Sequence, residues 1–355
     1  MTTDFLEIHT SDRSLFKRCR RKWGFASPLK MHLEPDPPSD ILSLWFGTGI
    51  HFALEDHHGF RKFASPSEAL EAYLNAFRQE DLPFGAEDLI EVGMGMLEYY
   101  EVWSTQPGRP QYETLWIEGK PQLEVEFRLE LEQLSNKLGR PVVYHGTFDR
   151  ICTDEEGGLW VDDYKTTRTM DIYRLATDPQ MKAYAWAAEQ VYGAPFEGAL
   201  MLQMLKKYPQ KPSALVKGGF SQNKTQKTTH AVYKSALIET YGKVPPSYVE
   251  FLNYLASQEF PEGDAFIRRD KIYYNDAVKR NTYQHILDEG AEMLTPDLPL
   301  YPNETYTCSW DCGAFRTVCI AMEEKGDYED LLATNFKRRG DKDTSWRNRI
   351  KWPQE

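Results

Sequence analysis

The sequence predicts an α/β protein, with a mixed central β-sheet flanked by helices and elaborated by helical insertions. Three observations carry this. Residues 122–131 alternate Leu123, Val125, Phe127, Leu129 and Leu131 with charged residues, the period-two pattern of a half-buried strand. Segments 142–152, 159–164 and 198–205 read as further strands, with a helix at 179–192 between the last two. Helical periodicity dominates on both sides, so the order is helices, then β-β-β-α-β, then helices, which packs as one mixed core.

At the N-terminal side, Leu15, Phe16, Cys19, Trp23 and Phe25 recur at helical spacing among basic residues, predicting one short basic helix over 13–25 capped by Ser11 or Asp12. A Pro-rich turn at 35–38 precedes a buried helix over 42–60, where Gly47 and Gly49 come before Ile50, Phe52, Ala53 and Leu54. Segments 65–79 and 87–105 carry amphipathic helix patterns. The turn 153–158 joins 142–152 to 159–164 as an antiparallel pair, and no internal repeat interrupts the chain.

One elaborated domain over 1–355 is expected. Its parts are N-terminal helices (11–60), a helical insertion (61–110), a core (111–205), a basic loop and helical region (206–300), a cysteine segment (301–335) and a basic tail (336–355). Hydrophobic content of 41%, with nine Trp and twenty Tyr, fills a large core and excludes disorder throughout. Residues 1–10 lack a basic start followed by an apolar run, and no apolar stretch approaches the roughly 18 residues that span a bilayer. The expectation is a soluble, cytoplasmic protein, and five cysteines in such a chain point to ligation rather than to disulfides.

A net charge of −12 argues against a general nucleic-acid coat protein. The charge is segregated, however. Tracts 13–30, 206–234 and 337–351 hold half of all Lys and Arg and sum to +19, leaving −31 for the other 293 residues. An acidic body with three basic tracts can bind a polyanion locally, and the tracts are expected to line one groove.

The most informative stretch is Tyr144-His145-Gly146-Thr147-Phe148-Asp149-Arg150, followed by Val161-Asp162-Asp163-Tyr164-Lys165-Thr166-Thr167. On adjacent antiparallel strands Asp149 and Asp163 converge, while Asp163 and Lys165, two apart, share a face. Phosphodiester hydrolysis needs such a group: carboxylates to hold Mg²⁺ or Mn²⁺, and a cation to orient water or neutralise developing charge. Asp162 faces the other side of the strand and is given no metal role. His51 and Glu55 are four apart on one helix face, as are Gln180 and Tyr184.

In order, F-G-T-G-I-H-x-x-x-E, G-T-F-D-R, V-D-D-Y-K-T-T and D-P-Q-M-K-A-Y resemble the RecB-like branch of the PD-(D/E)XK nucleases, whose core is restriction-endonuclease-like. Within it the chain looks most like the iron–sulfur exonucleases related to the CRISPR-adaptation nuclease, the AddB nuclease domain and phage exonucleases. The resemblance implies that His51, Asp149 and Asp163 ligate metal, with the Tyr164 carbonyl as a fourth donor. It makes Lys165 the catalytic lysine and Gln180 and Tyr184 the pair that contacts DNA and braces the site. Glu55 is expected beside the ligands.

Cys308, Cys312 and Cys319 are spaced C-x3-C-x6-C, Cys19 lies far upstream, and Cys152 is left over as a small hydrophobe. Spacing alone leaves an iron–sulfur cluster, Zn²⁺ and unligated thiols open. The resembled family places one Cys before its His motif and three after the core, which implies a [4Fe–4S] cluster on Cys19, Cys308, Cys312 and Cys319. Each gap here is one residue longer than the family's commonest spacing.

The functional expectation is a metal-dependent DNA exonuclease acting on single strands or ends, in recombination, repair or phage DNA metabolism, and in the host cytoplasm if of phage origin. Lys224, Lys227, Arg13 and Arg18 are candidate phosphate contacts in what reads as a mobile loop and a basic helix, and 338–349 reads as a flexible arm. No Walker-type G-x-x-x-x-G-K-[ST] occurs, so unwinding would require a helicase or recombination partner. The alternatives are a non-catalytic DNA-binding scaffold subunit and a zinc-stabilised interaction module.

Overall fold

The computed structural model describes residues 5–36, 41–77, 82–83, 85–171, 173–309, 312–340 and 344–353. Pro37, Pro38, Gln79, Trp310 and Asp311, which belong to segments named above, lie outside them. The chain runs β1 (Leu6–His9), α1 (Thr10–Arg18), α2 (Arg20–Ala26), β2 (Leu33–Pro35), α3 (Ile41–His58), α4 (Pro66–Asn75) and α5 (Ala86–Ser104). There follow β3 (Glu113–Thr114), β4 (Trp116–Ile117), β5 (Lys120–Pro121), β6 (Leu123–Glu130), α6 (Glu132–Leu138), β7 (Val142–Thr153), β8 (Leu159–Thr167), α7 (Arg174–Thr177), α8 (Pro179–Tyr192) and β9 (Gly198–Leu205). The remainder is α9 (His230–Tyr241), α10 (Val249–Ala256), β10 (Ile267–Tyr273), α11 (Asp276–Met293), α12 (Phe315–Glu323), α13 (Tyr328–Asn335) and β11 (Phe336–Arg338).

The central sheet is mixed, in the order β1-β7-β8-β9-β10, with β6 and β3 on the other edge of β7. Antiparallel β7 and β8 pair only over Arg150↔Asp162 to Thr153↔Leu159, and the opposite half of β7 pairs with β1 instead. The two long strands therefore part just before Arg150. Parallel β8 and β9 are joined through α8, whose N-cap Asp178 accepts from Gln180 N at 2.8 Å ahead of Pro179, a strong start signal. Gly146 on β7 has no room for a side chain: a Cβ would meet Phe127 and the Thr10 hydroxyl at 2.6 Å.

Helices cover both faces of the sheet. One core joins Ile8, Phe127, Tyr144, Phe148 and Val161 to Met181 and the alanine-rich face of α8 (Ala183, Ala185, Ala187, Ala188). The other joins Tyr164, Leu202 and Met204 to Phe46, Ile50, Phe52 and Leu54 of α3 and to α4 and α5. Gly49 permits that packing, since a Cβ there would lie 2.8 Å from the Tyr73 ring. No helix among the described residues is long and apolar enough to cross a membrane.

Several expectations change. The basic helix is two helices, because Cys19 is extended (φ −161°, ψ 114°) between α1 and α2. Its cap is His9, whose N–H donates to the Asp12 carboxylate at 3.1 Å, so neither Ser11 nor Asp12 is the capping residue. β1 escaped notice because its alternation, Leu6-Glu7-Ile8-His9, runs for only four residues, and β10 because it has no clean alternation. The C-terminal arm is fastened: β11 pairs with β2, Trp346 is buried on Phe52 and Tyr73, and Arg349 donates to the Ala76 carbonyl. The loop before α9 is organised by hydrogen bonds from Gln226 and Tyr233 to the Ser221 carbonyl and from Phe220 N to the Tyr248 hydroxyl.

Candidate active site

Where β7 and β8 part, Asp149 Oδ2 accepts the N–H of Tyr164 at 2.7 Å, in place of a ladder bond. Two residues along β8 from Asp163, Lys165 Nζ lies 2.8 Å from Asp163 Oδ2 and 3.0 Å from Oδ1. α3 delivers His51 from above the sheet, with Nε2 3.1 Å from the Tyr164 carbonyl and Nδ1 3.7 Å from Asp149 Oδ1. Gln180 Nε2 donates to Tyr184 Oη at 2.9 Å on α8 beneath. Asp149, Asp163, Lys165, His51, the Tyr164 carbonyl and the Gln180–Tyr184 pair are thus brought together from four elements.

Sequence reasoning missed Glu124. Its Oε1 lies 3.4 Å from His51 Nδ1, and one ligand atom each from His51, Glu124 and Asp149 falls within 4.8 Å of the others. Glu124 has φ +47°, a left-handed conformation rare for a non-glycine residue, between Leu123↔Arg150 and Val125↔Phe148 of the β6–β7 ladder. Alternation over 122–131 places it with the other charged residues and does not register its left-handed backbone. His51 and Glu124 also line a cleft of about 280 Å³ with Gly47, Thr48, Trp346 and Arg347.

Charge is concentrated at this point. Burial alone would lower the His51 pKa, but Asp149 and Glu124 outweigh it and lift it to about 9. Burial pushes Asp149 up to about 7 against the pull of His51, with Asp163 adding to the rise. Burial also raises Asp163, opposed by Lys165. Carboxylates held above their ordinary range in a buried group are short of positive charge, and a divalent ion supplies it.

Neighbouring side chains sort differently. Asp162 is fully buried on the opposite face, 3.4 Å from both Arg150 Nη1 and Arg269 Nη2. Glu55 is paired with Arg347, accepting from Nη2 at 2.8 Å. Arg13 is withdrawn from solvent (3% exposed) and paired with Glu289 at 2.7 Å, which removes it as a phosphate contact. Lys17, Arg20 and Arg21 likewise pair with Glu289, Glu292 and Glu323, so three acids of α11 and α12 offset part of the first basic tract. Arg18, Lys224 and Lys227 are exposed.

Cys152 is buried in the core, and burial pushes its thiol up to about 12. The other four lie where the chain's two ends meet. Asn303 N approaches Cys19 Sγ at 3.5 Å, and Cys308 Sγ approaches the Asn303 carbonyl at 3.8 Å. Burial raises Cys312 to about 11, with Cys308 and Cys19 contributing. Arg21 donates to Cys319 Sγ at 3.4 Å. Among the described residues no three of these sulfurs lie within 4.8 Å of one another.

The site is two acids and a lysine at the point where two strands of a mixed sheet part. A family model described as the PD-(D/E)XK nuclease superfamily matches residues 10–320, and the chain belongs to that superfamily. Membership makes it a nuclease-type hydrolase of a superfamily that typically uses divalent metals. No curated protein matches the chain.

Proposed function

We propose that the chain is a metal-dependent DNA exonuclease of the RecB-like iron–sulfur branch, one elaborated nuclease domain acting on single strands or DNA ends in recombination, repair or phage DNA metabolism. The observation that carries the nuclease reading is the meeting of His51, Asp149, Asp163 and Lys165 at the opening between β7 and β8. His51, Asp149, Asp163 and the Tyr164 carbonyl would hold Mg²⁺ or Mn²⁺, with Glu124 as a further carboxylate. The donor set fits, being mostly hard oxygen with one imidazole. An ion held there would supply Lewis acidity, lowering the pKa of bound water and offsetting charge on the phosphoryl oxygens.

Within that frame Lys165 orients the attacking water from beside Asp163, and the Gln180–Tyr184 pair braces the site from α8. The exonuclease assignment rests on the ordered motifs. Intact Asp149, Asp163 and Lys165 disfavour a non-catalytic scaffold.

For the cysteines, adjacent thiolates on one zinc stand roughly 3.8 Å apart, given Zn–S bonds of about 2.3 Å. Among the described residues no three of these sulfurs come within 4.8 Å of one another. A [4Fe–4S] cluster gives each thiolate its own iron and tolerates wider spacing. Cys19, Cys308, Cys312 and Cys319 would then staple the α1–α2 break to the C-terminal segment.

The test is digestion of end-labelled single- and double-stranded DNA and of closed circles by protein purified without oxygen. Linear DNA should be degraded only with Mg²⁺ or Mn²⁺, and Asp163→Ala and Lys165→Ala should bind DNA without cutting it. Cleavage surviving both substitutions refutes the site, and circles cut as fast as linear DNA refute the exonuclease reading. Anaerobic wild type should be brown and Cys19→Ala or Cys308→Ala colourless; a colourless wild type free of zinc refutes the ligand set.

A further inference from the structure

A second group of metal-binding side chains lies on the same strand as Asp149 but apart from it. His9 of β1 stands beside His145 of β7 in the parallel register, and Glu7 precedes His9 by two on the same face. Glu7 Oε1 is 2.9 Å from His145 Nδ1, and His9 Nε2 is 3.5 Å from Glu7 Oε2. The two imidazole centroids are 4.8 Å apart, and one ligand atom each from Glu7, His9 and His145 lies within 4.8 Å of the others. We infer that Glu7, His9 and His145 form a binding site for a zinc-class divalent ion, separate from the nuclease centre.

Three points support this. Glu7 Oε1 and His145 Nδ1 are buried and closely apposed, yet neither makes a hydrogen bond within the protein. Donors on one ion at bonds of about 2.1 Å stand roughly 3.0–3.4 Å apart, close to the spacing here. Across the ring, Glu126 Oε1 lies 2.9 Å from His145 Nε2, where a carboxylate directs the lone pair of the opposite nitrogen toward a metal. Arg128 lies over both carboxylates, 3.5 Å from Glu7 and 2.9 Å from Glu126, but is 56% exposed and able to swing into solvent.

Two imidazoles and a carboxylate select zinc-class ions over Mg²⁺, which prefers an all-oxygen shell. His145 precedes Asp149 by four residues, roughly 13 Å along a strand, whereas paired catalytic metals stand about 3.5–4 Å apart. The ion therefore takes no part in cleavage. It would clamp β1, a four-residue edge strand, onto β7 at the root of α1, which leads directly to Cys19.

The experiment is zinc titration of chelator-stripped full-length protein against a chromogenic chelator, with thermal melts at each ratio. Wild type should bind zinc and melt higher with it. His145→Gln and His9→Gln should each lose one zinc equivalent and the accompanying rise, and should lose the same equivalent in a His51→Gln or Cys308→Ala background. Glu126→Gln should keep the equivalent but bind roughly tenfold more weakly. His9 is one-third exposed, so its variant decides the matter if His145→Gln folds poorly. Unchanged stoichiometry and affinity in His9→Gln, or absence of zinc binding by wild type, overturns the site. Either outcome leaves Mg²⁺-dependent cleavage as a separate measurement.

Discussion

Neighbouring Asp162 and Asp163 should have opposite phenotypes, because alternation along β8 sends one into an ion network and the other into the nuclease centre. Asp162→Ala leaves Arg150 (1% exposed) and Arg269 (9% exposed) facing each other without the carboxylate that lies 3.4 Å from each. Breaking a buried pair costs roughly 3–5 kcal/mol. The upper end is avoided here because Arg150 still donates to Thr114 Oγ1 and the Tyr112 carbonyl. For a chain of 355 residues the unfolding entropy is about 0.75 kcal/mol per kelvin, so a loss of about 4 kcal/mol lowers Tm by roughly 5 °C. Circular-dichroism melts in EDTA measure this. Asp163→Ala in the same assay should melt no lower than wild type, since burial already disfavours that carboxylate's charged form, yet it should abolish cleavage. An Asp162→Ala protein melting within about 1 °C of wild type would refute the reasoning.

Without metal, Asp149→Asn should gain stability over wild type as pH rises from about 4 to about 7. Burial raises the folded pKa of Asp149 from 3.8 to about 7, so its contribution is present at acid pH and lost across that window. Urea midpoints at several pH values check this, and Mg²⁺ should reverse the order by stabilising wild type alone. Glu124→Gly should relieve roughly 1 kcal/mol of left-handed strain while raising the Mg²⁺ needed for half-maximal cleavage about tenfold, seen by pairing a melt with a metal titration. Trp346→Ala should cost about 3–5 kcal/mol because Trp346 is buried on Phe52 and Tyr73, whereas Arg347→Ala, partly exposed on Glu55, should cost less than about 1 kcal/mol; melts of both distinguish a packed arm from a loose one.

The strands carrying Asp149, Asp163 and Lys165, the helix of Gln180 and Tyr184, and the face shared by His51 and Glu55 were all readable from residue order, because period two and period 3.6 are local properties. The opposite facing of Asp162 followed from the same rule. Locality also set the errors. The break at Cys19 and the left-handed backbone at Glu124 are single-residue excursions that side-chain periodicity does not register.

By itself the sequence determined which chemistry the chain carries: an acid–acid–lysine group on two strands, an imidazole ahead of it and four spare thiols. Only the tertiary structure decided which charges remain available for that chemistry. Arg13 is spent on Glu289 and Arg347 on Glu55, while Glu124 is turned onto His51 and Glu7 onto His145. The reason is physical: pairing depends on which elements pack together across 73 to 292 residues of chain, and charge composition is blind to that distance.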